Sequence, residues 1–225
     1  MQNQTAKIIW RSGDVPVSAQ FDDPYFSLEN GLDETRHVFL AGNDLPQRFC
    51  DGFHIGELGF GTGLNFLATL LSWRASGVQG VLNYTSFEAY PMTHDDMAQS
   101  LGGFDGIEAV AAELLAAWHP EGGTLSVAKD VCLTVVTGDA RETLPKWNAK
   151  SDAWFLDGFS PAKNPELWEP TLMSEVGAHT KKGGTFATYT AAGFVRRGLV
   201  QAGFTVDRVQ GFGRKRHMTR GCLPL

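Results

Sequence analysis

The sequence predicts an α/β fold of the seven-strand, Rossmann-like class, in which a mainly parallel sheet ends in an antiparallel C-terminal hairpin. Three observations support this prediction. Short apolar runs alternate with longer runs of helical periodicity from residue 53 onward, a glycine-rich loop separates the first strand from the first helix, and a short basic turn joins the last two strands. Strands that alternate with helices form parallel sheets, whereas a short connection requires antiparallel neighbours.

The predicted elements follow one another in a regular order. The strands cover residues 53–58, 84–87, 124–128, 131–137, 153–156, 185–189, 205–209 and 217–222. The helices cover residues 64–73, a region through Met97, and residues 107–118, 166–179 and 192–202. Residues 124–137 read as a hairpin, and Lys182-Gly183-Gly184 reads as a turn that precedes the strand at 185–189.

The length of 225 residues suits one well-buried domain and is too short for a second large catalytic module. We divide the chain into an N-terminal extension, residues 1–50, and a core, residues 51–225. No run of 18 apolar residues occurs, and residues 2–7 are polar where a signal peptide would be basic and then apolar. The three cysteines, Cys50, Cys132 and Cys222, show neither pairing nor metal-ligand spacing. We therefore expect a cytoplasmic protein with no membrane contact and no metal.

Charge is distributed unevenly along the chain. The formal net charge is −6, which argues against a protein that coats nucleic acid. Residues 176–225 nevertheless contain nine basic residues and one acid, Asp207. Such a stretch binds a polyanion locally or forms an ordinary solvated surface, and the charge pattern alone leaves both interpretations open.

The loop after the first predicted strand reads Glu57-Leu58-Gly59-Phe60-Gly61-Thr62-Gly63. Open α/β sheets bind ligands outside the carboxyl ends of their strands, which is where this loop lies. Its spacing differs from the G-x-G-x-x-G of dinucleotide enzymes and lacks the Lys-Ser/Thr of a P-loop. Glycines allow close approach of the backbone, which suits the amino-acid end of S-adenosylmethionine. The cofactor candidates here are Glu57, Gly59, Gly61, Gly63 and Asn65, and a simple tight turn is the alternative.

Two acids follow the next predicted strands. Glu88 ends the second strand, 25 residues after Gly63, where a carboxylate accepts hydrogen bonds from the ribose hydroxyls of an adenosyl group. Asp139 follows the strand at 131–137, where it either accepts the exocyclic amine of adenine or caps the helix that begins there. We keep both roles of Asp139 open.

A further acid, Asp157, lies in the segment DAWFLDGFSPAKNP, residues 152–165. This segment predicts a strand that ends in an acid and continues into a glycine, an aromatic residue and polar residues between prolines. Such a segment forms a rigid lip over a cofactor, at the position where amine methyltransferases bind the methyl acceptor. A purely structural turn is the alternative.

Five strings resemble the methyltransferase half of the bifunctional tRNA 5-methylaminomethyl-2-thiouridine biosynthesis proteins, the MnmC family. They are FDDPYFSLENGLDETRHVFL, ELGFGTGLNFL, DAWFLDGFSPAKNPELW, TYTAAGFVRRGLVQAGF and GFGRKRHM, and they are spread over nearly the whole chain. The resemblance implies an S-adenosylmethionine-dependent methyltransferase fold. It also implies methyl transfer to the 5-aminomethyl nitrogen of 2-thiouridine at the wobble position, with the tRNA anticodon arm as the partner.

The resemblance carries two further expectations. In MnmC a flavin-dependent oxidase module follows the methyltransferase half, whereas this sequence stops at Leu225 and contains no FAD module. We therefore expect either a methyltransferase-only protein, with room for a separate FAD-dependent oxidase partner, or an excised domain. Asn30, Gly31 and Glu34 are expected to fold over the cofactor as a lid.

Methyl transfer to an amine requires a neutral nitrogen, so a carboxylate that binds the ammonium form and assists proton loss favours the reaction. Asp157 is the candidate for this role. Enzymes that act on a base take it out of its stack, and Phe159, Tyr189 and Phe194 are candidates to flank it, although each is also a plausible core residue. The remaining substrate-binding candidates are Lys163, Arg196, Arg197, Arg214, Lys215 and Arg216, the last five as phosphate contacts.

Two other functions remain open at this point. An amine N-methyltransferase for a small molecule or a protein would have the same cofactor site and a different acceptor. A nucleotide-binding module or NAD-dependent oxidoreductase would bind a dinucleotide and transfer no methyl group, but the glycine spacing disfavours it.

Overall fold

The structure is a computed structural model, and it describes residues 5–11, 15–26 and 30–225. The polar run 2–7 and the string that begins at Phe21 therefore lie partly outside the described residues. Among those described, no helix combines the length and apolar character that crossing a bilayer requires. The same residues contain no group of three His, Cys, Asp or Glu side chains arranged to hold a metal ion.

The described residues form an eight-stranded sheet and a smaller three-stranded one. The small antiparallel sheet consists of β1 (Ile8–Arg11), β2 (Val15–Ser18) and β3 (Asp23–Pro24). The large sheet consists of β4 (His54–Leu58), β5 (Leu82–Glu88), β6 (Gly123–Ala128), β7 (Val131–Thr137), β8 (Ser151–Leu156), β9 (Thr180–Thr188), β10 (Thr205–Gln210) and β11 (His217–Cys222). Its order is β10-β11-β9-β8-β4-β5-β7-β6.

The predicted fold class is confirmed. Strands β7, β5, β4, β8 and β9 are parallel, and β10 and β11 form the antiparallel C-terminal hairpin. The strand predicted at residues 124–128 is β6, which pairs antiparallel with β7 at one edge in the predicted hairpin and gives the sheet eight strands. The hairpin turn, Lys129–Asp130, contains no residue of positive φ, and a register shift between Leu125 and Ala128 accompanies it.

Seven α-helices connect and flank the strands within the described part of the chain. They are α1 (Gly31–Thr35), α2 (Leu64–Ser76), α3 (His94–Leu101), α4 (Glu108–Ala117), α5 (Ala140–Thr143), α6 (Pro170–Ala178) and α7 (Gly193–Gln201). Helix α2 begins after Gly63 and ends at Gly77, both in the left-handed region. The Thr93 side chain accepts a hydrogen bond from Asp96 N and thereby caps α3.

Two predicted boundaries are wrong, and backbone chemistry explains both. The predicted helix 166–179 is divided into a 3-10 turn, Pro165–Trp168, and α6, because Pro170 favours extended backbone at Glu169, whose ψ is 145°. Strand β9 begins at Thr180, not at residue 185. Gly183, with φ of 72°, lies inside the strand where its pairing with β8 shifts register, and does not form a turn before it.

Hydrophobic side chains pack on both faces of the large sheet. Along β8, Ala153 and Phe155 belong to one buried cluster, and Trp154 and Leu156 belong to the other, as the alternation of a strand requires. The first cluster also contains buried residues of the N-terminal segment, including Leu32, Val38, Phe39, Leu40 and Phe49. Residues 31–50 are therefore packed on the sheet that carries the glycine loop.

Candidate active site

A cavity of about 1280 Å³ lies at the carboxyl ends of four parallel strands. The residue that ends or follows each strand lines it: Gly59 after β4, Glu88 at the end of β5, Gly138 after β7 and Asp157 after β8. The N-terminal segment closes the other side through residues 20–26 and α1. The cavity therefore occupies the place where open α/β sheets bind their ligands.

The glycine loop lies against this cavity in a conformation that favours glycine. The φ angles are 88° at Gly59, 53° at Gly61 and 77° at Gly63. A Cβ at Gly59 would overlap the main-chain oxygen of Asp157, so the loop packs directly on the β8 turn. Gly63 does not line the cavity, and a Cβ there would lie 2.8 Å from the Leu114 side chain. Gly59 and Gly61 face the predicted ligand, whereas Gly63 allows close packing of α2.

Glu88 holds the glycine loop from the neighbouring strand. Its Oε2 accepts a hydrogen bond from Gly61 N at 2.9 Å, and its Oε1 accepts one from Tyr90 N at 2.8 Å. Burial raises the pKa of Glu88, and these backbone hydrogen bonds partly oppose that rise. Glu88 also lines the cavity, so its carboxylate stays the predicted acceptor for the hydroxyl groups of a ligand.

Asp139 lines the cavity, but its carboxylate already accepts hydrogen bonds from Arg141. It accepts a hydrogen bond from Arg141 N at 2.9 Å as the N-cap of α5, and Arg141 Nη2 lies 2.6 Å from its Oδ2. The hydrogen bonds from the Arg141 side chain lower the pKa of Asp139. Of the two roles left open by the sequence, the structure shows the helix cap.

Asp157 lies at the centre of the cavity wall. Its Oδ2 accepts a hydrogen bond from Asn65 Nδ2 at 2.7 Å. Burial raises the pKa of Asp157 to about 7; the hydrogen bond from Asn65 opposes that rise, the charge of Glu34 adds to it, and the charge of Lys215 opposes it. The carboxyl group therefore titrates near neutral pH, which suits a group that exchanges a proton with a bound amine.

Glu57 does not line the cavity and lies behind Asn65, fully buried. Its Oε1 accepts the second hydrogen bond of Asn65 Nδ2, at 3.0 Å. Burial raises the pKa of Glu57 to about 8, while the adjoining groups of Ser86 and Asn65 lower it. Both amide hydrogens of Asn65 thus serve protein carboxylates, and Glu57, a predicted cofactor residue, lies outside the cavity lining.

Glu34 and Lys215 form an ion pair at the cavity wall. Lys215 Nζ lies 2.7 Å from Glu34 Oε1 and 4.4 Å from the centre of the Tyr189 ring. The Tyr189 hydroxyl donates to the main-chain oxygen of Gly158 at 2.7 Å, which fixes the ring beside Asp157. Lys215, which was predicted as a phosphate contact, thus pairs with Glu34 at the cavity wall, and its side chain is 47% exposed.

Phe159 forms an aromatic lip with the N-terminal segment. Its ring stacks on Phe21, with centroids 4.8 Å apart, and meets Tyr25 edge-on at 5.0 Å. Ser160 N donates to Asp23 Oδ2 at 2.8 Å, so the backbone of the lip is tied to β3. Lys163 pairs with the same segment, 3.6 Å from Asp23 Oδ1, and does not line the cavity.

Several predicted site residues lie outside the cavity lining. Asn30 accepts a hydrogen bond from Asp33 N and caps α1, while its neighbours Gly31 and Glu34 line the cavity. Phe194 is 42% exposed on α7 and is not part of the wall. The remaining basic candidates divide between the cavity and the outer surface: Arg214 lines the cavity, and Arg196, Arg197 and Arg216 do not.

Sequence reasoning missed most of the cavity wall contributed by the N-terminal segment. From that segment the missed lining residues include Gln20, Phe21, Asp23, Tyr25 and Thr35; from elsewhere they include Phe60, Tyr90, Arg141 and Phe212. The aromatic and acidic residues of FDDPYF were visible as an unusual run, but no periodicity relates residues 21–26 to residue 159, which is more than 130 positions later.

Comparison with known proteins adds independent findings. A sequence profile of the S-adenosyl-L-methionine-dependent methyltransferase family matches residues 105–224. Over 230 residues the chain is 46% identical to the tRNA 5-methylaminomethyl-2-thiouridine biosynthesis bifunctional protein MnmC of Stutzerimonas stutzeri; the match covers 98% of this chain and 35% of that protein. The MnmC protein of Chromobacterium violaceum is 43% identical, with 99% and 35% covered.

The crystal structure of MnmC2 from Aquifex aeolicus superimposes with a TM-score of 0.76 at 24% identity, covering 99% of this chain and 72% of that one. At this identity the likeness concerns the fold. The chain spans about a third of the length of the two curated relatives, each of which it covers to 35%.

Proposed function

This chain belongs to the S-adenosyl-L-methionine-dependent methyltransferase family, and on that premise we propose that it methylates the 5-aminomethyl group of 2-thiouridine at the tRNA wobble position. The product is 5-methylaminomethyl-2-thiouridine. The observation that carries the proposal is the position of Asp157, a carboxyl group of near-neutral pKa that faces a large cavity beside Glu34 and the Tyr189 ring. A carboxylate is a group that binds an alkylammonium ion, and Glu34 and the Tyr189 ring already hold the Lys215 ammonium beside it.

The residues of the cavity fit the cofactor. Gly59 and Gly61 bring backbone close to the ligand space, and the Glu88 carboxylate lines the same cavity as the acceptor for the ribose hydroxyls. The Asp157 carboxylate supplies negative charge beside the glycine loop, whereas the Glu34 carboxylate is paired with Lys215. When bound, S-adenosylmethionine supplies an electrophilic methyl group on a positively charged sulfur.

The chain itself has three tasks in this reaction: to place the acceptor nitrogen about 3–3.5 Å from the methyl carbon, to exclude water, and to take a proton. The stacked rings of Phe159 and Phe21 line the cavity and give this part of its wall an apolar surface. The nitrogen loses a proton as it gains a methyl group, and Asp157 accepts that proton through its cavity-facing carboxyl.

Recognition of the base rests on Phe159 and Tyr189. Both residues line the cavity that Asp157 also lines, where they would contact a uracil turned out of the anticodon stack while its 5-substituent reaches the carboxylate. Phe194, which lies outside the wall, has no part in this proposal. A separate FAD-dependent oxidase would act before this chain and release the aminomethyl group from its carboxymethyl precursor.

The function is tested with tRNA that carries 5-aminomethyl-2-thiouridine. Incubation with the protein and S-adenosylmethionine should increase the mass of this nucleoside by one methyl group, as measured by mass spectrometry of the digested tRNA. The same tRNA with the carboxymethylated precursor should remain unchanged without an added oxidase. Methylation of free alkylamines or proteins with tRNA left unmodified would contradict the proposed substrate.

The surface that docks the tRNA is proposed to lie on α7 and the C-terminal hairpin. Arg196, Arg208 and Arg216 make no ion pair with any described residue, and burial together with their charges lowers the pKa of His217 between them. We expect replacement of all three arginines by Gln to raise KM for tRNA and to flatten its salt dependence, by about one slope unit per lost phosphate contact. The cofactor Kd should be unchanged.

A matched control removes three positive charges from another part of the surface. Lys129, Lys146 and Lys150 are exposed and lie outside α7 and the C-terminal hairpin, with Lys129 at the opposite edge of the sheet, between β6 and β7. Their replacement by Gln should leave the salt dependence as in the parent. Equal slopes for the arginine variant and the parent between 50 and 300 mM salt would show that tRNA binds elsewhere.

A further inference from the structure

A chain of buried side chains links the N-terminal segment to Asp157. The Thr35 hydroxyl, in α1, donates to Asn65 Oδ1 at 2.8 Å, and Asn65 Nδ2 donates to both Glu57 Oε1, at 3.0 Å, and Asp157 Oδ2, at 2.7 Å. Thr35, Asn65 and Glu57 are 4%, 6% and 0% exposed. Water therefore has little access to replace any of these bonds.

The orientation of the Asn65 amide matters because its two ends differ. The nitrogen end donates two hydrogen bonds and stabilises negative charge, whereas the oxygen end would repel a carboxylate. The carboxylates of Glu57 and Asp157 both accept hydrogen bonds from the nitrogen end of the amide. Their negative charges repel each other, so the charge of Asp157 raises the pKa of Glu57. The Thr35 hydroxyl is the donor that occupies the oxygen end, so it opposes a flip of the amide.

We propose that Thr35 and Asn65 are positioning residues for methyl transfer: Thr35 fixes the orientation of the Asn65 amide, and the amide holds Asp157 ionised and aimed into the cavity. This inference rests on the proposed role of Asp157 in accepting a proton. The N-terminal segment, which contains Thr35, would then contribute to the reaction as well as to the cavity wall.

Three further charged or titratable side chains, outside this row of hydrogen bonds, face Asp157 from other elements of the fold. Glu34 lies in α1, Lys215 lies between β10 and β11, and Tyr189 follows β9. Glu34 and Lys215 are paired at 2.7 Å, so their opposite effects on Asp157 offset each other. Tyr189 stays neutral, because burial and the nearby carboxylates raise its pKa. Asn65 is thus the neutral donor that favours the ionised form of Asp157.

The decisive variant is Thr35→Val, which removes the hydroxyl and keeps the shape of the side chain. Without the Thr35 donor the amide loses its fixed orientation, and the pKa of Asp157 should rise by about one unit. The rise is measured by the ¹³C chemical shift of the Asp157 carboxyl against pH in the cofactor-free protein, with Asp157→Asn assigning the signal. This readout needs no methyl transfer.

The kinetic consequence depends on pH, which separates positioning from a structural defect. At pH 6 the ionised fraction of Asp157 falls about tenfold for each unit of pKa, so kcat should fall by about that factor, whereas at pH 9 it should be within about twofold of the parent. Thr35→Ser keeps a hydroxyl donor and should restore the parental pH profile. KM for tRNA should not change.

Thr69→Val is the matched control. Thr69 is fully buried and donates to the main-chain oxygen of the same Asn65 at 2.7 Å, so it has equal burial and no contact with the amide. It should leave the Asp157 titration unchanged. If Thr35→Val does not fold, Thr35→Ala removes the same donor.

Titration curves of Asp157 that coincide in the parent and the Thr35 variants overturn the proposal. Absence of tRNA methylation by the parent would instead contradict the proposed function and leave the titration result interpretable.

Discussion

Replacement of Asp157 by Asn should lower kcat about 100-fold at pH 7 and leave cofactor affinity within a few-fold. Asn keeps the shape of the side chain but carries no charge and accepts no proton from the acceptor ammonium. In the parent, kcat should rise with pH through about 7, because burial raises the pKa of Asp157 to about 7 and the ionised form is the active one. Both effects are measured from the rate of methyl transfer to tRNA in reactions that are quenched at timed intervals.

The Asp157→Asn variant should lose this dependence near pH 7 and gain activity at higher pH. A free alkylammonium loses its proton unaided as the pH approaches its own pKa, roughly 10 for a lysine-like amine, so the deficit should shrink at pH 9.5. Asp152→Asn is the matched control, since Asp152 lies on the same strand, one residue after its start, far from the carboxyl end. A deficit of equal size at pH 7 and pH 9.5 would mean that Asp157 is structural.

Replacement of Glu88 by Ala should weaken cofactor binding by about 1.5–3 kcal/mol, roughly 10- to 150-fold in Kd, because a charged acceptor is lost. Two effects contribute: the ribose hydroxyls lose their acceptor, and the N–H groups of Gly61 and Tyr90 lose theirs. Affinity should also fall as Glu88 becomes protonated at acidic pH, at a higher pH than an ordinary glutamate because burial raises its pKa. Titration calorimetry with S-adenosylmethionine measures both.

Glu142→Ala provides the control for Glu88. Glu142 is exposed in α5 and does not line the cavity, so its loss should leave Kd unchanged. Parental affinity in Glu88→Ala would remove this carboxylate from the cofactor site. Glu88→Gln separates the two effects, since Gln keeps an acceptor oxygen for one partner but no charge.

The order of strands and helices was predictable because it depends on local signals. Apolar periodicity, the glycines that flank α2 and the short turn before His217 are each read within a few residues. The two wrong boundaries, at Pro170 and at Gly183, lie where the local sequence is compatible with more than one backbone conformation. A glycine pair can begin a strand or interrupt one, and the pairing partner, here β8, decides which.

The sequence by itself determined the acids at the strand ends, since a carboxylate that directly follows a parallel strand must lie at the carboxyl edge of the sheet. Glu88 and Asp157 were located in this way. What only the tertiary structure decided is which side chains meet there from distant positions: Thr35 with Asn65, Lys215 with Glu34, and Phe159 with Phe21. These contacts depend on how the N-terminal segment and the C-terminal hairpin pack over the sheet. Burial of their apolar residues sets that packing. Because the hydrophobic effect is non-directional, it leaves no periodic signal in the sequence that shows which distant residues meet.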